Sequence, residues 1–154
     1  WRRRRDFLGV IPKIKVKAKN AWTVAERRLV AYATDFAVAE LGLDVSPVPI
    51  HIYLKGDGAT DGDAIDLGHK IVVRIFKKDE WLATLFHELE HARQYIYCEL
   101  ELEYEHVVWQ GTFMERDLQD PVEYLTSPWE VAARKMEVKL LTDFRKKLLD
   151  FDAP

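Results

Sequence analysis

The chain has 154 residues, of which 48% are hydrophobic and 32% charged, a composition typical of one soluble globular domain with a sizeable core. No apolar run approaches the roughly 20 residues of a membrane span, and the charged start WRRRRDFLGVIPKIK lacks the apolar run of a signal peptide, so we expect a cytoplasmic protein without a membrane partner. The net charge of -3 hides an asymmetry, because residues 1–20 contain eight basic side chains and one acid and carry +7, which leaves -10 for the remaining 134 residues.

Residues 1–20 form a basic N-terminal arm, which precedes the predicted body of the single domain over 21–154. The segment VIPKIKVKAK (10–19) alternates apolar and basic residues, and this period of two predicts a short strand with one lysine-covered face. We favour a solvated edge whose charges discourage strand pairing. Nucleic-acid binding is the weaker interpretation, because the arm lacks interleaved aromatic residues and the body is acidic. A third interpretation has the arm fold back on the glutamates of segment 88–105.

The first helix is predicted from its capping signals. Thr23 and Glu26 form a capping box, in which the hydroxyl serves a free backbone N–H and the glutamate reaches back to the helix start. The helix should run over 24–41 and end at Gly42. Its buried stripe is predicted to consist of Leu29, Ala33, Phe36, Ala37 and Leu41.

Two strands are predicted after this helix, VPIHIYL (48–54) and HKIVVRIF (69–76), both rich in β-branched residues. The segment between them, GDGATDGDAIDLG (56–68), is rich in glycine and aspartate and is predicted to be a loop. A weak calcium site is the less favoured interpretation of its aspartates, because their order does not match the calcium-loop pattern.

Two further helices are predicted in the second half of the chain. Asp79 should cap a helix over 80–98, and a last helix should begin at Ser127-Pro128 and run to about residue 150. Between them, segment 99–113 is acidic and then β-rich, which predicts a hairpin. The apolar residues that should face the core are Leu82, Leu85, Leu89 and Ile96 in the first of these helices and Ala133, Leu140, Leu141, Phe144 and Leu148 in the second.

The most informative segment is HELEH (87–91), within the predicted helix over 80–98. Residues four apart on a helix lie one above the other, so His87 and His91 can both direct a ring nitrogen at one ion, with bonds of about 2.0–2.1 Å. Glu88 projects beside the same face and could take a proton from a metal-activated water. An amphipathic helix with two incidental histidines is the alternative.

A catalytic zinc site needs a third protein ligand. The candidates are Glu130, Glu137, His106 and His69. The single cysteine, Cys98, cannot build a cysteine-based site alone. Glu130 also has a purely structural interpretation, because Ser127-x-x-Glu130 is a capping box and a glutamate there can serve the helix start. His69 opens a predicted strand and His51 lies inside one, which favours structural roles for both.

HELEH, followed at a distance by Pro128-Trp129-Glu130 at the start of a new helix, resembles the zincin metallopeptidases. More narrowly, it resembles the small single-domain gluzincins (minigluzincin-like proteins) of phages and bacteria. The resemblance covers residues 48–141 and implies a zincin-like α+β fold, with a small mixed β-sheet, an N-terminal helix, the HExxH helix and a C-terminal ligand helix. Carried over by position, the Zn²⁺ ligands are His87, His91 and Glu130. The general base is Glu88.

The chain departs from the gluzincin pattern after Glu130, where Glu130-Val131-Ala132-Ala133 lacks the second acid of the usual E-x-E-A. The SprT-like peptidases use a third histidine, and by that resemblance His106 would replace Glu130. In zincins the strand before the HExxH helix is an edge strand that pairs with extended peptide substrate, which implies this position for 69–76. The resemblance also implies an oxyanion-stabilising side chain, for which Tyr124 and Tyr95 are the candidates.

We therefore expect a zinc-dependent metallopeptidase that hydrolyses bonds of a peptide or protein substrate through a metal-activated water. Two other classes of protein are alternatives. One binds zinc in a regulatory or structural role without peptidase activity, and the other is a nucleic-acid-associated protease whose basic arm contacts phosphates. With 154 residues there is no large second subdomain to wall the cleft, so we expect a groove that is shallow and open or closed by a partner.

Overall fold

The computed structural model describes residues 14–103 and 106–151, without the side chain of Glu103. The described chain contains both helices and sheets, which confirms the predicted α+β class. The strands of the first sheet are β1 (Ile14–Ala18), β2 (Ile50–Lys55), β3 (Gly62–Asp66) and β4 (Ile71–Phe76). Their order is β1-β2-β4-β3, in which β1, β2 and β4 are parallel and β3 is antiparallel to β4, so the sheet is mixed as expected.

The helices are α1 (Val24–Leu41), α2 (Trp81–Ile96), α3 (Pro121–Leu125) and α4 (Pro128–Phe151), with a 3₁₀ turn over Leu43–Val45. A second, antiparallel sheet contains β5 (Leu100–Glu103), β6 (His106–Trp109) and β7 (Thr112–Met114). The hairpin predicted over 99–113 is therefore part of a three-stranded meander. Within the described ranges, no helix combines the length and the apolar character needed to cross a membrane.

The N-terminal helix α1 has the predicted bounds. Thr23 Oγ1 accepts a hydrogen bond from the backbone N–H of Glu26 at 3.1 Å, and Glu26 Oε1 accepts one from the N–H of Thr23 at 3.0 Å, so the capping box is present. Gly42 ends the helix with a φ of 63°, a left-handed conformation that glycine adopts without strain. In the predicted stripe, Leu29 is only partly buried and Val30 lies in the core.

The core lies between one face of the first sheet and the helices α1, α2 and α4. Alternate strand residues are buried there: Ile50, Ile52, Leu54, Ile71, Val73 and Ile75. From α2, Leu85, Phe86 and Leu89 are fully buried against them. The predicted core residues Leu82 and Ile96 lie at the margin and are partly buried. Helix α2 thus rests on β3 and β4 and contacts α4 on its other side.

The predicted caps of the two later helices are not found. Glu80, not Asp79, holds the N-cap position of α2, and no side-chain hydrogen bond caps this helix, so the Asp79 prediction is wrong. Helix α4 begins at Pro128 as predicted, but the Ser127 hydroxyl donates to the carbonyl oxygen of Glu123 at 2.6 Å. The side chain of Glu130 is turned towards α2 instead of capping α4. The predicted core residues of α4 are buried at Ala133, Leu140 and Phe144 and partly buried at Leu141 and Leu148.

The loop predicted over 56–68 is wrong in its second half, because Gly62–Asp66 forms β3. Asp63 makes a two-point ion pair with Arg74, its register partner on β4, and this cross-strand pair stabilises a strand whose composition is typical of a turn. Asp61 pairs with Lys78 in the same region. Cations therefore neutralise two of the aspartates that the calcium interpretation would use.

The edge position implied for 69–76 by the zincin resemblance is also wrong. Strand β4 begins only at Ile71 and lies between β2 and β3, so it is paired on both sides. The edge strand beside α2 is β3, which precedes β4 in the chain and folds back on it in the antiparallel direction.

The strand predicted within the basic arm is confirmed over Ile14–Ala18. It pairs in parallel with β2 at the edge of the sheet opposite β3, and both Lys15 and Lys17 are exposed as expected. Residues 1–13, with the four arginines, lie outside the described residues. The nucleic-acid and fold-back interpretations of that part of the arm stay predictions.

Candidate metal centre

Helices α2 and α4 bring three metal-binding side chains together. His87 and His91 lie one turn apart on α2, and Glu130 faces them from the first turn of α4. The two histidine Nε2 atoms are 3.2 Å apart, Glu130 Oε2 lies 3.1 Å from His87 Nε2, and Glu130 Oε1 lies 2.9 Å from His91 Nε2. In the described part of the chain, these residues form a group that could hold a metal ion, with ligand atoms within 4.8 Å of one another.

The spacing of these atoms suits a small ion. Two ligand atoms bound at about 2.0–2.1 Å to a tetrahedral ion lie about 3.3 Å from each other. The observed separations of 2.9 to 3.2 Å are slightly shorter, so the side chains need to move only a few tenths of an ångström outward. His91 is 7% exposed and Glu130 is 4% exposed, so the group is largely shielded from solvent.

Hydrogen bonds behind His91 determine which of its ring nitrogens carries the proton. Gln94 Nε2 donates to the carbonyl oxygen of Trp129 at 3.1 Å, which leaves Gln94 Oε1 to accept from His91 Nδ1 at 2.8 Å. A neutral His91 therefore turns the lone pair of Nε2 towards Glu130, whose carboxylate also offers only lone pairs. A cation between these atoms would accept both lone pairs. This arrangement of His91 and Glu130 is the observation that supports a metal ion at the site.

The electrostatics of the group favour an ionised acid. Burial opposes a charged His91, but its hydrogen bond with Glu130 and the nearby carboxylates outweigh burial and raise the pKa of His91. Burial likewise opposes ionisation of Glu130, but the hydrogen bonds with His87 and His91 outweigh it and hold the pKa of Glu130 well below its usual range. Without an ion, these shifts favour a protonated His91 that donates to the Glu130 carboxylate. A divalent metal would displace this proton, and two neutral imidazoles with a carboxylate are a donor set that suits zinc and similar metals.

Comparison with known proteins does not identify this centre. The chain matches no family model, no curated protein and no solved structure. The function of the centre must therefore be inferred from the side chains that surround the three donors.

Glu88 is a buried carboxyl beside the donor group. It is 8% exposed and lines the same pocket as His91 and Glu130. Burial raises the pKa of Glu88 to about 7, against the opposing charges of the two histidines. A carboxyl that titrates near neutral pH can both accept and return a proton.

A pocket of about 180 Å³ opens beside Glu88 and the donor group. Strand β3 forms one wall of the pocket through Gly62, Asp63 and Ala64. The apolar lining comes from the second sheet, the segment after it and α4, through Leu100, Leu102, Leu118 and Trp129. The pocket therefore combines an apolar lining with the Glu88 carboxyl and the donors His91 and Glu130, and Gly62 of the edge strand lies next to Glu88.

Both predicted oxyanion candidates line this pocket. The Tyr95 hydroxyl donates to the carbonyl oxygen of Ala64 at 3.2 Å, which ties β3 to α2. Tyr124 is 41% exposed, and burial of its phenol together with the Glu130 carboxylate raises its pKa. Of the two hydroxyls, that of Tyr95 already has a backbone partner and that of Tyr124 lies on the Glu130 side of the pocket.

The other proposed third ligands do not join the histidine pair. Glu137 Oε1 lies 3.7 Å from Nδ1 of His87, the ring nitrogen that faces away from the donor group. His106 is exposed on β6, with its ring 4.3 Å from that of Phe113. His69 is exposed in the turn before β4.

Sequence reasoning missed Gln94 and the strand β3. Gln94 lies three residues after His91, a spacing that puts both on one helix face, so the pair could have been found from the sequence. Its hydrogen bond to Trp129 could not, because that contact joins residues 35 positions apart. Strand β3 was hidden by two aspartates and a glycine within five residues.

Proposed function

We propose that this chain is a zinc-dependent metallopeptidase of the zincin type, which hydrolyses bonds in a peptide or protein substrate. The observation that supports it is the convergence of His87, His91 and Glu130 beside the buried carboxyl of Glu88, at a pocket bordered by an edge strand. Three protein ligands leave the fourth position of a tetrahedral ion open, which is the arrangement of catalytic zinc and not of structural zinc.

Zinc, when bound, would act as a Lewis acid and lower the pKa of a water molecule towards about 7. Glu88 would take a proton at its carboxylate and transfer it to the leaving amine. Tyr124 would donate a hydrogen bond to the carbonyl oxygen of the scissile bond as negative charge develops there. Gln94 would hold His91 in the tautomer that keeps Nε2 free.

Substrate binding would use the edge of β3. Among the described strands, β3 pairs only with β4, so the backbone groups on its other edge, apart from the Ala64 carbonyl that accepts from Tyr95, are available to an extended peptide. A peptide held there would run along the outer edge of β3 and border the pocket that Glu88 lines. The apolar lining formed by Leu100, Leu102, Leu118 and Trp129 would accept an apolar side chain of the substrate.

The direct test replaces the proposed base. Glu88→Gln keeps the size of the side chain but cannot accept the proton, so cleavage of an unfolded protein substrate should be lost while bound zinc is retained. Glu80→Gln, at an exposed position at the start of the same helix, is the matched control and should cleave normally. Full activity of Glu88→Gln would exclude this mechanism.

The third ligand is tested by metal content. We expect Glu130→Ala to lose zinc and His106→Ala to keep it, as measured by elemental analysis of the purified proteins after dialysis. Equal zinc in both variants would remove Glu130 from the site. A wild-type protein that binds zinc but cleaves no peptide would instead support a regulatory or structural zinc protein.

A further inference from the structure

The first sheet has a second face, turned away from α2 and the candidate metal centre. Residues of β2 and β4 alternate between buried positions beneath the helices and partly buried positions on this second face. The side chains of this open face are Lys15, Lys17, His51, Tyr53, Lys55, Val72, Arg74 and Phe76, with Asp63 and Ile65 from β3. The proposed peptidase function makes no use of them.

Strand pairing places basic and aromatic side chains next to one another on the open face. Lys17 on β1, Tyr53 on β2 and Arg74 on β4 are register partners, and adjacent strands lie about 4.8 Å apart. Lys55 follows Tyr53 on the same face, with its Nζ atom 5.3 Å from the centroid of the Tyr53 ring. The aromatic rings that the basic arm lacks in sequence are therefore supplied by the neighbouring strand.

Several basic side chains surround His51 on the open face. Burial lowers the pKa of His51, and the positive charges of Lys70 and of the two β1 lysines lower it further. His51 Nδ1 is buried without a hydrogen-bond partner. The acid on this side of β3, Asp63, is paired with Arg74. Among the described residues, the lysines therefore give this face a positive charge.

We propose that the open face binds a single-stranded nucleic acid. Lys15, Lys17 and Lys55 would contact phosphates, and a base would stack on the ring of Tyr53, which any of the bases can do. A duplex keeps its bases stacked on one another and would offer this face only phosphates. An acidic peptide without aromatic residues would offer only charge. A single strand matches both the lysines and the aromatic ring, because each of its nucleotides carries a phosphate and a planar base.

The sequence before β1 adds to this charge. It contains five further basic side chains and one acid. The basic residues are Arg2, Arg3, Arg4, Arg5 and Lys13.

The proposal is tested with the full chain and a fluorescent oligo(dT) of 15 nucleotides, by anisotropy at several salt concentrations. Affinity should fall with salt, and the slope of log K against log salt should shrink by about 0.7 for each phosphate contact that a variant removes. Lys15→Gln combined with Lys17→Gln should reduce this slope. Tyr53→Leu should weaken binding about tenfold with an unchanged slope, because it removes stacking and no charge.

The matched control is Lys135→Gln combined with Lys146→Gln, which removes the same charge from exposed positions on α4. It should bind nearly as the parent protein does. Equal losses of affinity in the two double variants would mean that the oligonucleotide is attracted by net charge alone, and would contradict a binding site on the open face. Equal affinity for a duplex, or for polyglutamate as competitor, would overturn the preference for a single strand. The β1 lysines are exposed, so these variants should fold, and thermal melting checks it.

Discussion

The position of one proton determines whether the three donors can share an ion. His91 can bind through Nε2 only if Nδ1 carries the hydrogen, and Gln94 holds that hydrogen because its own amide is oriented by the Trp129 carbonyl. Such outer partners of ligating histidines typically change metal affinity by about 10- to 100-fold when they are removed. Gln94 is therefore as much a part of the centre as a ligand is.

Gln94→Leu should weaken zinc binding by about tenfold or more, because Nδ1 of His91 loses its acceptor. Gln94→Glu is the matched variant, since it keeps an acceptor for Nδ1 while it loses the donor to Trp129, and it should retain more of the affinity. Competition with a chromogenic chelator measures both. Equal affinity of Gln94→Leu and the parent protein would contradict this role.

The three donor residues could largely be predicted from the sequence, but the contacts that position them could not. His87 and His91 are four apart on one helix, so local periodicity alone puts them on one face. Glu130 comes from another helix, and only the resemblance to gluzincins selected it over Glu137. The two glutamates are seven residues apart on α4, and the packing of α4 against α2 decides which of them meets Nε2.

At the scale of secondary-structure elements, a helix or strand could be predicted where residues within its own segment determine its bounds. Helix α1 was predicted to the residue because the capping box and Gly42 fix its ends by local hydrogen bonds and backbone conformation. Strand β3 was missed because its stability comes from Arg74 on β4 and from packing against α2, neither of which its own five residues reveal. The order of the strands is likewise a property of the whole sheet.

Strand β3 approaches α2 closely at Gly62. A Cβ atom at this position would lie 2.6 Å from the carbonyl oxygen of Arg74 and 2.8 Å from Thr84 Cγ2, so one of them must move. Gly62→Ala should lower the free energy of unfolding by about 1–3 kcal/mol, the usual cost of overpacking, and should displace β3 from Glu88. Urea unfolding of the purified variant measures the first effect.

Gly56→Ala is the control for Gly62→Ala, because a Cβ atom there meets nothing within 4 Å. It should leave the stability almost unchanged. If Gly62→Ala is as stable as Gly56→Ala, the close approach of β3 to α2 is not maintained in solution. Peptidase activity of Gly62→Ala should fall more than its stability explains, since the proposed substrate strand is the element that moves.

The cap of α1 predicts a dependence of stability on pH. Hydrogen bonds from the Thr23 backbone, Lys77 and the Thr23 side chain lower the pKa of Glu26 from 4.5 to about 2. Since the folded pKa is the lower one, the stabilisation is fully present above about pH 4.5 and is lost as the pH falls towards 2. Glu26→Ala should therefore cost about 1 kcal/mol at pH 7 and progressively less below pH 4.5.

Chemical unfolding at pH 7 and pH 3 tests this dependence. Glu40→Ala, an exposed glutamate on the same helix, is the control and should show no loss at either pH. A Glu26→Ala cost that is equally large at both values would mean that the packing of the side chain, and not its charge, stabilises the start of α1.

At the scale of the whole molecule, the acids of the candidate centre and the lysines of β1 and β2 lie on opposite sides of the first sheet. Its helix-covered side holds the acids of the candidate centre, Glu88 and Glu130, while the open face presents the lysines of β1 and β2. The overall charge of -3 conceals this division, because only folding assigns each side chain to a side of the sheet. The proposed peptidase site and the proposed nucleic-acid surface therefore use different residues of one small domain.

The candidate centre also joins distant parts of the chain, since His87 on α2 and Glu130 on α4 are 43 residues apart. An ion held by both helices would close the segment that contains the second sheet and α3, and binding only to the folded state stabilises that state. Zinc at about one hundred times its dissociation constant should add about 2.7 kcal/mol. For a domain of this size that raises Tm by about 5–10 °C.

Thermal melts with zinc and with excess chelator measure this shift. Glu88→Gln keeps all three ligands and should show the full shift, whereas Glu130→Ala should show little of it. The shift should shrink at acidic pH, because protons compete with the ion for His87 and His91. An equal Tm shift in Glu130→Ala would mean that zinc binds elsewhere. No Tm shift in the parent protein would mean that zinc does not bind to the folded state. Together with the cleavage assay, these two variants would separate the proposed metal binding, which uses both helices, from the proposed catalysis, which uses Glu88 in addition.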